Sequence, residues 1–137
     1  SMDDQKLLEF FNEINRFAVM NGIRLVEFDD EHSVVECTVE KKYTNPTETL
    51  HGGMYFTMAD SAGGALAIRS GQGFVTQSST LHFIRPVFSG KVRAVAHALH
   101  RGKTTLVAEI KMYDEQDKLL ASSTMTYFFL GQKVELK

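Results

Sequence analysis

The sequence predicts an α+β domain in which an antiparallel sheet curls around one long buried helix, with a further helix at the N-terminal end. The first reason is the stretch from His51 to Gly71. Between Gly53 and Arg69 it holds a single charged side chain, Asp60, and shows no polar stripe at the helical period. A helix that is apolar all round is a buried helix. The second reason is the set of alternating apolar and polar runs around it, joined by short turns, a pattern that pairs as antiparallel strands. The third is a leading run of apolar residues spaced three and four apart, the mark of an amphipathic helix.

In chain order, Leu7, Leu8, Phe11, Ile14, Phe17 and Ala18 share one side of a helix expected over residues 3–20, with acidic residues near its start and Gly22 as its stop. Ile23 to Phe28 reads as a strand, and Asp29 to His32 turns the chain into the next. There Val35, Cys37 and Val39 alternate with Glu36, Thr38 and Glu40, a half-buried strand. The loop Thr44 to Thr49 leads directly into His51 and the central helix. That helix is long enough to span a bilayer, but its glycines and its carboxylate argue against it. Beyond Gly71 and Gly73, Phe74 to Ile84 is a strand closed by Pro86, and Ser89-Gly90 turns the chain into Lys91 to His100. Arg101-Gly102-Lys103 is the next turn. Leu106, Ala108, Ile110 and Met112 then face the core, Asp114 to Lys118 forms a charged hairpin turn, and Leu119 to Leu130 is the last strand.

A chain of 137 residues makes one domain, read here as 3–137 with Ser1-Met2 set aside as an expression-tag remnant. The formal charge of −2 gives no reason to expect nucleic acid or an anionic membrane as partner. With Cys37 as the only cysteine and no signal peptide, a reducing cytoplasm is the expected home.

Asp60 is the anomaly of the central helix. A carboxylate inside a buried helix must be paired, hydrogen-bonded or neutralised. It is either structural, bonded to a hydroxyl such as Ser61 or Thr57, or it is a nucleophile or base. The helix start bears on the choice. Gly52 and Gly53 leave the first N–H groups uncovered, and bare N–H groups at a helix N-terminus can hold an anion or a developing oxyanion. Gly52 and Asp60 lie roughly 12 Å apart along the axis, whereas groups acting on one carbonyl each sit about 3 Å from it. One helix cannot supply both. Two antiparallel copies can, so a site using both groups requires at least a dimer.

The pattern Asn45-x5-His51-Gly52-Gly53-x6-Asp60-x2-Gly63-Gly64, followed by Val75-Thr76 and Phe83-Ile84-Arg85-Pro86, resembles the PaaI-type hotdog-fold acyl-CoA thioesterases. His100-Arg101-Gly102-Lys103 and Ala121-Ser122 to Tyr127 also fit that family, and the similarity runs from about Leu7 to Phe129. The resemblance implies a homodimer with sheets joined edge to edge, often paired again as a tetramer, with active sites between the two central helices. It further implies that the Gly52 N–H polarises a thioester carbonyl and that Asp60 of the opposite subunit attacks it or activates water. Asn45 would orient the thioester or the water, His51 would brace the loop, and Thr76 would hold the water or the carboxylate. Gly53 would join the substrate contacts. No metal or separate cofactor is expected, since coenzyme A arrives as part of the substrate and a thioester needs only a polarised oxygen and a base.

The remaining candidates carry less. Arg101-Gly102-Lys103 is either a solvated hairpin turn or a clamp for coenzyme A phosphates, with Arg85 a weaker candidate for the same task. Cys37 reads as core, and His32 and His82 as surface or packing residues. His97 and His100 are expected on opposite faces of one strand. Met54, Tyr55, Phe56 and Met58 either line an apolar pocket or are plain core. Two other functions share the fold: a hydratase or dehydratase of acyl thioesters, whose His-containing motif is not found here, and a non-catalytic acyl-CoA-binding domain.

Overall fold

The computed structural model describes residues 2–134. Helix α1 (Asp4–Glu9) starts at Asp3, whose carboxylate accepts the Lys6 N–H at 2.9 Å. A π-helical turn (Phe10–Ile14) and the short helix α2 (Arg16–Met20) follow. Strands β1 (Arg24–Phe28) and β2 (His32–Thr38) precede the central helix α3 (Gly52–Ile68). Then come β3 (Gln72–Phe83), β4 (Lys91–Arg101), β5 (Thr105–Tyr113) and β6 (Leu119–Lys133).

All six strands form one antiparallel sheet in the order β1-β2-β4-β5-β6-β3. Its concave face closes on α3, which packs against β2, β3, β4, β5 and β6. The inward side chains explain the closure. Leu106, Ala108, Ile110 and Met112 of β5 are fully buried, as are Ala94 and Ala96 of β4. Each large side chain buried this way contributes roughly 1.5–3 kcal/mol, while the small alanines let the helix approach. This is the expected α+β architecture, a sheet wrapped on one helix.

Several details differ from the sequence expectation. The N-terminal helix is not continuous. It widens into the π turn and breaks at Asn15 (φ −72°, ψ 79°), so that Leu7, Phe11 and Ala18 are buried while Leu8 and Phe17 are exposed. Gly22 does stop α2. Its φ of +70° suits glycine, and an added Cβ would lie 2.6 Å from the Tyr43 hydroxyl. Met2, set aside on sequence, is buried and donates its N–H to Arg69 O at 2.9 Å.

The strand order also departs from simple succession. β3 does not pair with β4, which follows it; it pairs with β6, and β4 pairs with β2. The residues after β3 cannot make a tight hairpin, because Pro86 supplies no N–H and Ile84 and Arg85 donate to Leu120 O. β3 is therefore an open edge of the sheet, with Val75 and Phe83 exposed. His97 and His100 prove to share a face. A bulge between Ala98 and His100 resets the alternation, so His97 pairs with Glu109 and His100 with Val107, two residues on one side of β5.

Candidate active site

Asp60 sits on the one stripe of α3 that the sheet leaves open. Phe56, Thr57, Asp60, Ser61 and Gly64 follow each other at helical spacing and are exposed or half-buried, whereas Met58, Ala59, Ala62 and Leu66 are buried. The expectation of a helix enclosed on every side is corrected here. Thr57, Asp60 and Ser61 mark the open stripe, but they are so few, and so closely flanked by Phe56 and Gly64, that the run reads as apolar all round.

The carboxylate is held from the sheet. Thr76 Oγ1 of β3 donates to Asp60 Oδ1 at 2.7 Å. The Thr57 hydroxyl, one of the two expected helix partners, donates instead to Gly53 O at 2.8 Å. A bulge between Thr76 and Ser78 makes the placement possible. It aligns Thr76 with Tyr127 and Ser79 with Met125, two inward positions of β6, although Thr76 and Ser79 lie an odd number of residues apart. Asp60, Thr76, Ser79 and Gly64 line a cavity of ≈ 370 Å³, with Asn15, Thr57 and Ser61 as further polar residues and Phe74, Ile68 and Met125 among its apolar walls.

Tyr127 is a site residue for which sequence reasoning found no role. It is fully buried, and its hydroxyl donates to the Asp60 backbone carbonyl at 3.1 Å, fixing α3 at the residue that bears the carboxylate. Burial pushes its phenol well above 10.0, and the nearby Asp60 adds to the shift, so Tyr127 stays a neutral donor. Gly63 is the matching signal on the helix: a Cβ there would lie 2.1 Å from the Tyr127 hydroxyl.

The N-terminal end of α3 forms a separate group. His51 caps the helix with extended backbone, and its Nδ1 accepts the Gly53 N–H at 2.8 Å. Gly53 is therefore occupied, while the Gly52 N–H finds no acceptor among the described residues. Asn45 organises the preceding loop. Its Oδ1 accepts from the Thr47 N–H, the Thr47 hydroxyl and the Thr49 N–H, and its Nδ2 donates to Thr49 Oγ1 at 2.8 Å. Nδ2 carries two hydrogens, and the second has no acceptor among the described residues. Asn45, Gly52, Tyr55, Phe83 and Arg85 line a second cavity of ≈ 380 Å³. Within one chain, Gly52 and Asp60 thus open into different cavities.

Arg101, Gly102 and Lys103 join neither cavity. Arg101 lies at the other end of α3, where its guanidinium donates to Leu66 O and Asp30 O, both at 3.3 Å. Gly102 donates its N–H to Thr105 O, closing the β4–β5 turn. Cys37 is buried in the core, which pushes its thiol up to about 11. No cluster of three or more His, Cys, Asp or Glu side chains is arranged to hold a metal among the described residues. No helix of the described residues is long and apolar enough to cross a membrane.

A curled sheet around a helix whose open stripe presents a strand-held carboxylate defines a hotdog-fold hydrolase. A model of the thioesterase superfamily matches residues 47–121, and the chain belongs to that superfamily, a thioester hydrolase by descent. Among its relatives, the acyl-coenzyme A thioesterase PaaI of Escherichia coli is 34% identical over 101 residues, covering 73% of this chain and 72% of the relative. The structure of the E. coli PaaI protein superposes with a TM-score of 0.90 at 28% identity, covering 96% of both chains. The 1,4-dihydroxy-2-naphthoyl-CoA hydrolase of Listeria monocytogenes is 34% identical over 108 residues, 77% of this chain and 88% of the relative. The smu.793 protein of Streptococcus mutans, solved bound to acetyl CoA, matches with a TM-score of 0.77 at 26% identity, covering 82% of this chain and 91% of that one.

Proposed function

We propose that this protein hydrolyses an acyl-CoA thioester to the free acid and coenzyme A, at a site assembled from two subunits. The observation that carries the reading is the separation of the two halves: Asp60 with Thr76 in one cavity, the free Gly52 N–H with Asn45 in another. An antiparallel second copy brings one subunit's half against the other's. The open edge at β3, with its exposed Val75 and Phe83, suits joining of the two sheets. A dimer, paired again or not, is part of the proposal. Acyl-CoA is the substrate class named for the PaaI and naphthoyl-CoA relatives, and acetyl CoA is bound in the S. mutans neighbour.

In this reading the Gly52 N–H of one subunit, at the positive end of α3, receives the thioester oxygen as charge develops on it. His51 keeps the first turn in place by taking the Gly53 N–H. Asp60 of the opposite subunit attacks the carbonyl carbon or removes a proton from an attacking water, and Thr76 aims the carboxylate. The remaining Asn45 N–H positions the thioester or the water. The C–S bond then breaks and the thiolate leaves, taking up a proton from Asp60 or from solvent. Where Asp60 itself attacked, a water then hydrolyses the acyl–Asp60 anhydride, which releases the free acid and restores the carboxylate. The chain's own groups suffice for this sequence, with no further cofactor. Arg85, beside Gly52, and Lys103, on the exposed β4–β5 turn, are the cations offered to coenzyme A phosphates. The buried thiol of Cys37 suits a reducing cytoplasm.

Mixed dimers test the site directly. Gly52→Pro deletes the free N–H without breaking a bond, and His51 already has the extended backbone (ψ 139°) that a residue before proline adopts. Homodimers of Gly52→Pro and of Asp60→Asn are each expected to be inactive. A mixed dimer holds one doubly damaged site and one intact one, so thiol release from acyl-CoA is expected to return to about half per dimer. Mixed dimers that form and stay dead would place both groups in one chain.

A further inference from the structure

We propose that the N-terminal segment selects the acyl group: Phe17, presented by the π-helical turn before it, closes on the acyl chain and restricts the substrate to compact apolar acyl groups. This role rests on the acyl-CoA hydrolysis proposed above and adds what the site accepts. The cavity that holds Asp60 and Thr76 takes one wall from outside the central helix and sheet, namely Phe10, Phe11, Asn15, Phe17 and Ala18. Its volume of ≈ 370 Å³ is at the small end of ligand pockets, which run about 300–1,000 Å³, so a compact acyl group suits it better than a long fatty one.

The wall is fixed in place. Asn12, within the π turn, reaches the backbone of β1: its Oδ1 accepts the Leu25 N–H at 3.1 Å and its Nδ2 donates to Leu25 O at 3.4 Å. A π turn inserts one extra residue and rotates everything after it, and such turns concentrate at functional sites. Here the rotation, with the break at Asn15, turns Ala18 into the core and leaves Phe17 59% exposed. An aromatic ring left that open on a pinned segment is not serving the core. Phe17 also lines the adjoining cavity at His51, Gly53 and Thr57, so it stands between Asp60 and the helix start. A ring in that position meets the acyl end of a substrate and leaves the coenzyme end alone.

The test compares thiol release from acetyl-CoA, octanoyl-CoA and palmitoyl-CoA by the wild type, Phe17→Ala and Phe17→Leu. The wild type is expected to prefer octanoyl-CoA to palmitoyl-CoA. Phe17→Ala is expected to lower kcat/KM for octanoyl-CoA about tenfold, chiefly through KM, to narrow or erase the preference for octanoyl-CoA over palmitoyl-CoA, and to change acetyl-CoA by less than about twofold. Phe17→Leu should restore most of the loss. Phe17 is exposed, so folding is not at stake. Equal changes for acetyl-CoA and octanoyl-CoA, no change for either, or a wild type that favours palmitoyl-CoA would overturn the selector. A wild type that releases thiol from none of the three would instead overturn acyl-CoA hydrolysis itself, and the selector with it.

Discussion

Gly63 and Gly64 are neighbours in the chain and opposites in the structure. Gly63 is buried against β6, where an added Cβ would lie 2.1 Å from the Tyr127 hydroxyl and 2.7 Å from its ring. Gly64 is half-buried on the cavity side, where a Cβ would meet only the tip of the Phe74 ring, at 3.3 Å. The same residue type answers two demands. On the covered face glycine permits a close approach between helix and sheet. On the open face, one turn beyond Asp60, it leaves room beside the carboxylate. The lesson is that α3 has a structural face and a chemical face, and substitutions should divide cleanly between them.

The largest expected effect is on the open face. Asp60→Asn keeps the shape and the Thr76 contact while removing the negative charge, so a folded protein should lose about 10²–10⁴-fold in kcat. Thiol release and thermal unfolding, measured on the same preparation, check this. Near wild-type turnover would remove Asp60 from the chemistry.

Next comes the covered face. Gly63→Ala forces the Tyr127 ring or the helix to move, and overpacking of this kind costs about 1–3 kcal/mol. The helix propensity that alanine gains over glycine offsets at most about 1 kcal/mol. Denaturant unfolding should show the loss. Unchanged stability would mean that Tyr127 does not pack where its hydrogen bond to Asp60 O requires.

A smaller effect sharpens the division. Thr76→Val removes the 2.7 Å bond to Asp60 Oδ1 and keeps the strand's shape. About a tenfold fall in kcat with little change in stability is expected, since the lost bond is partly exposed and a single hydrogen bond contributes roughly 0.5–1.5 kcal/mol. A fall in stability without a fall in kcat would make Thr76 structural.

The division was only half legible in the sequence. The absence of a polar stripe and the lone carboxylate marked α3 and Asp60, because burial and charge leave a direct trace in residue type. Alternation marked β5 for the same reason. The open face of α3 left only a faint trace: Thr57, Asp60 and Ser61 all lie on it at helical spacing, but three polar residues flanked by Phe56 and Gly64 are too few to stand out as a stripe. The two bulges were silent. One extra residue at Gln77 or Leu99 changes no propensity, yet it decides that Thr76 reaches Asp60 and that His97 and His100 share a face. The π turn hid behind spacings of three and four that an α-helix produces as well. The pairing of β3 with β6 depends on contacts between residues such as Thr80 and Thr124, far apart in the chain, which no local pattern encodes.

The smallest expected effect lies off α3 altogether and serves as a control on the comparison. His32 Nδ1 lies 2.8 Å from Asp29 Oδ1 at the β1–β2 turn, Glu27 approaches its Nε2 at 3.5 Å, and His97 stacks on the ring at 5.8 Å. The bond to Asp29 raises the imidazole above its ordinary 6.5. The same bond, helped by the N–H groups of Glu31 and His32, pulls the Asp29 carboxylate to about 2. Asp29 is therefore ionised at any ordinary pH, and the histidine decides the pH dependence. A group whose folded pKa exceeds its unfolded one contributes fully below the unfolded value and loses that contribution as pH rises through the folded one. His32→Gln should accordingly lower Tm slightly at about pH 5.5 and less at about pH 8.5. The pair is near the surface, so salt should shrink the difference. Relative kcat should stay level at both pH values, because nothing on either face of α3 contacts the turn through His32. A larger Tm loss at the higher pH would reverse the sign and make packing against His97, rather than charge, the contribution of His32.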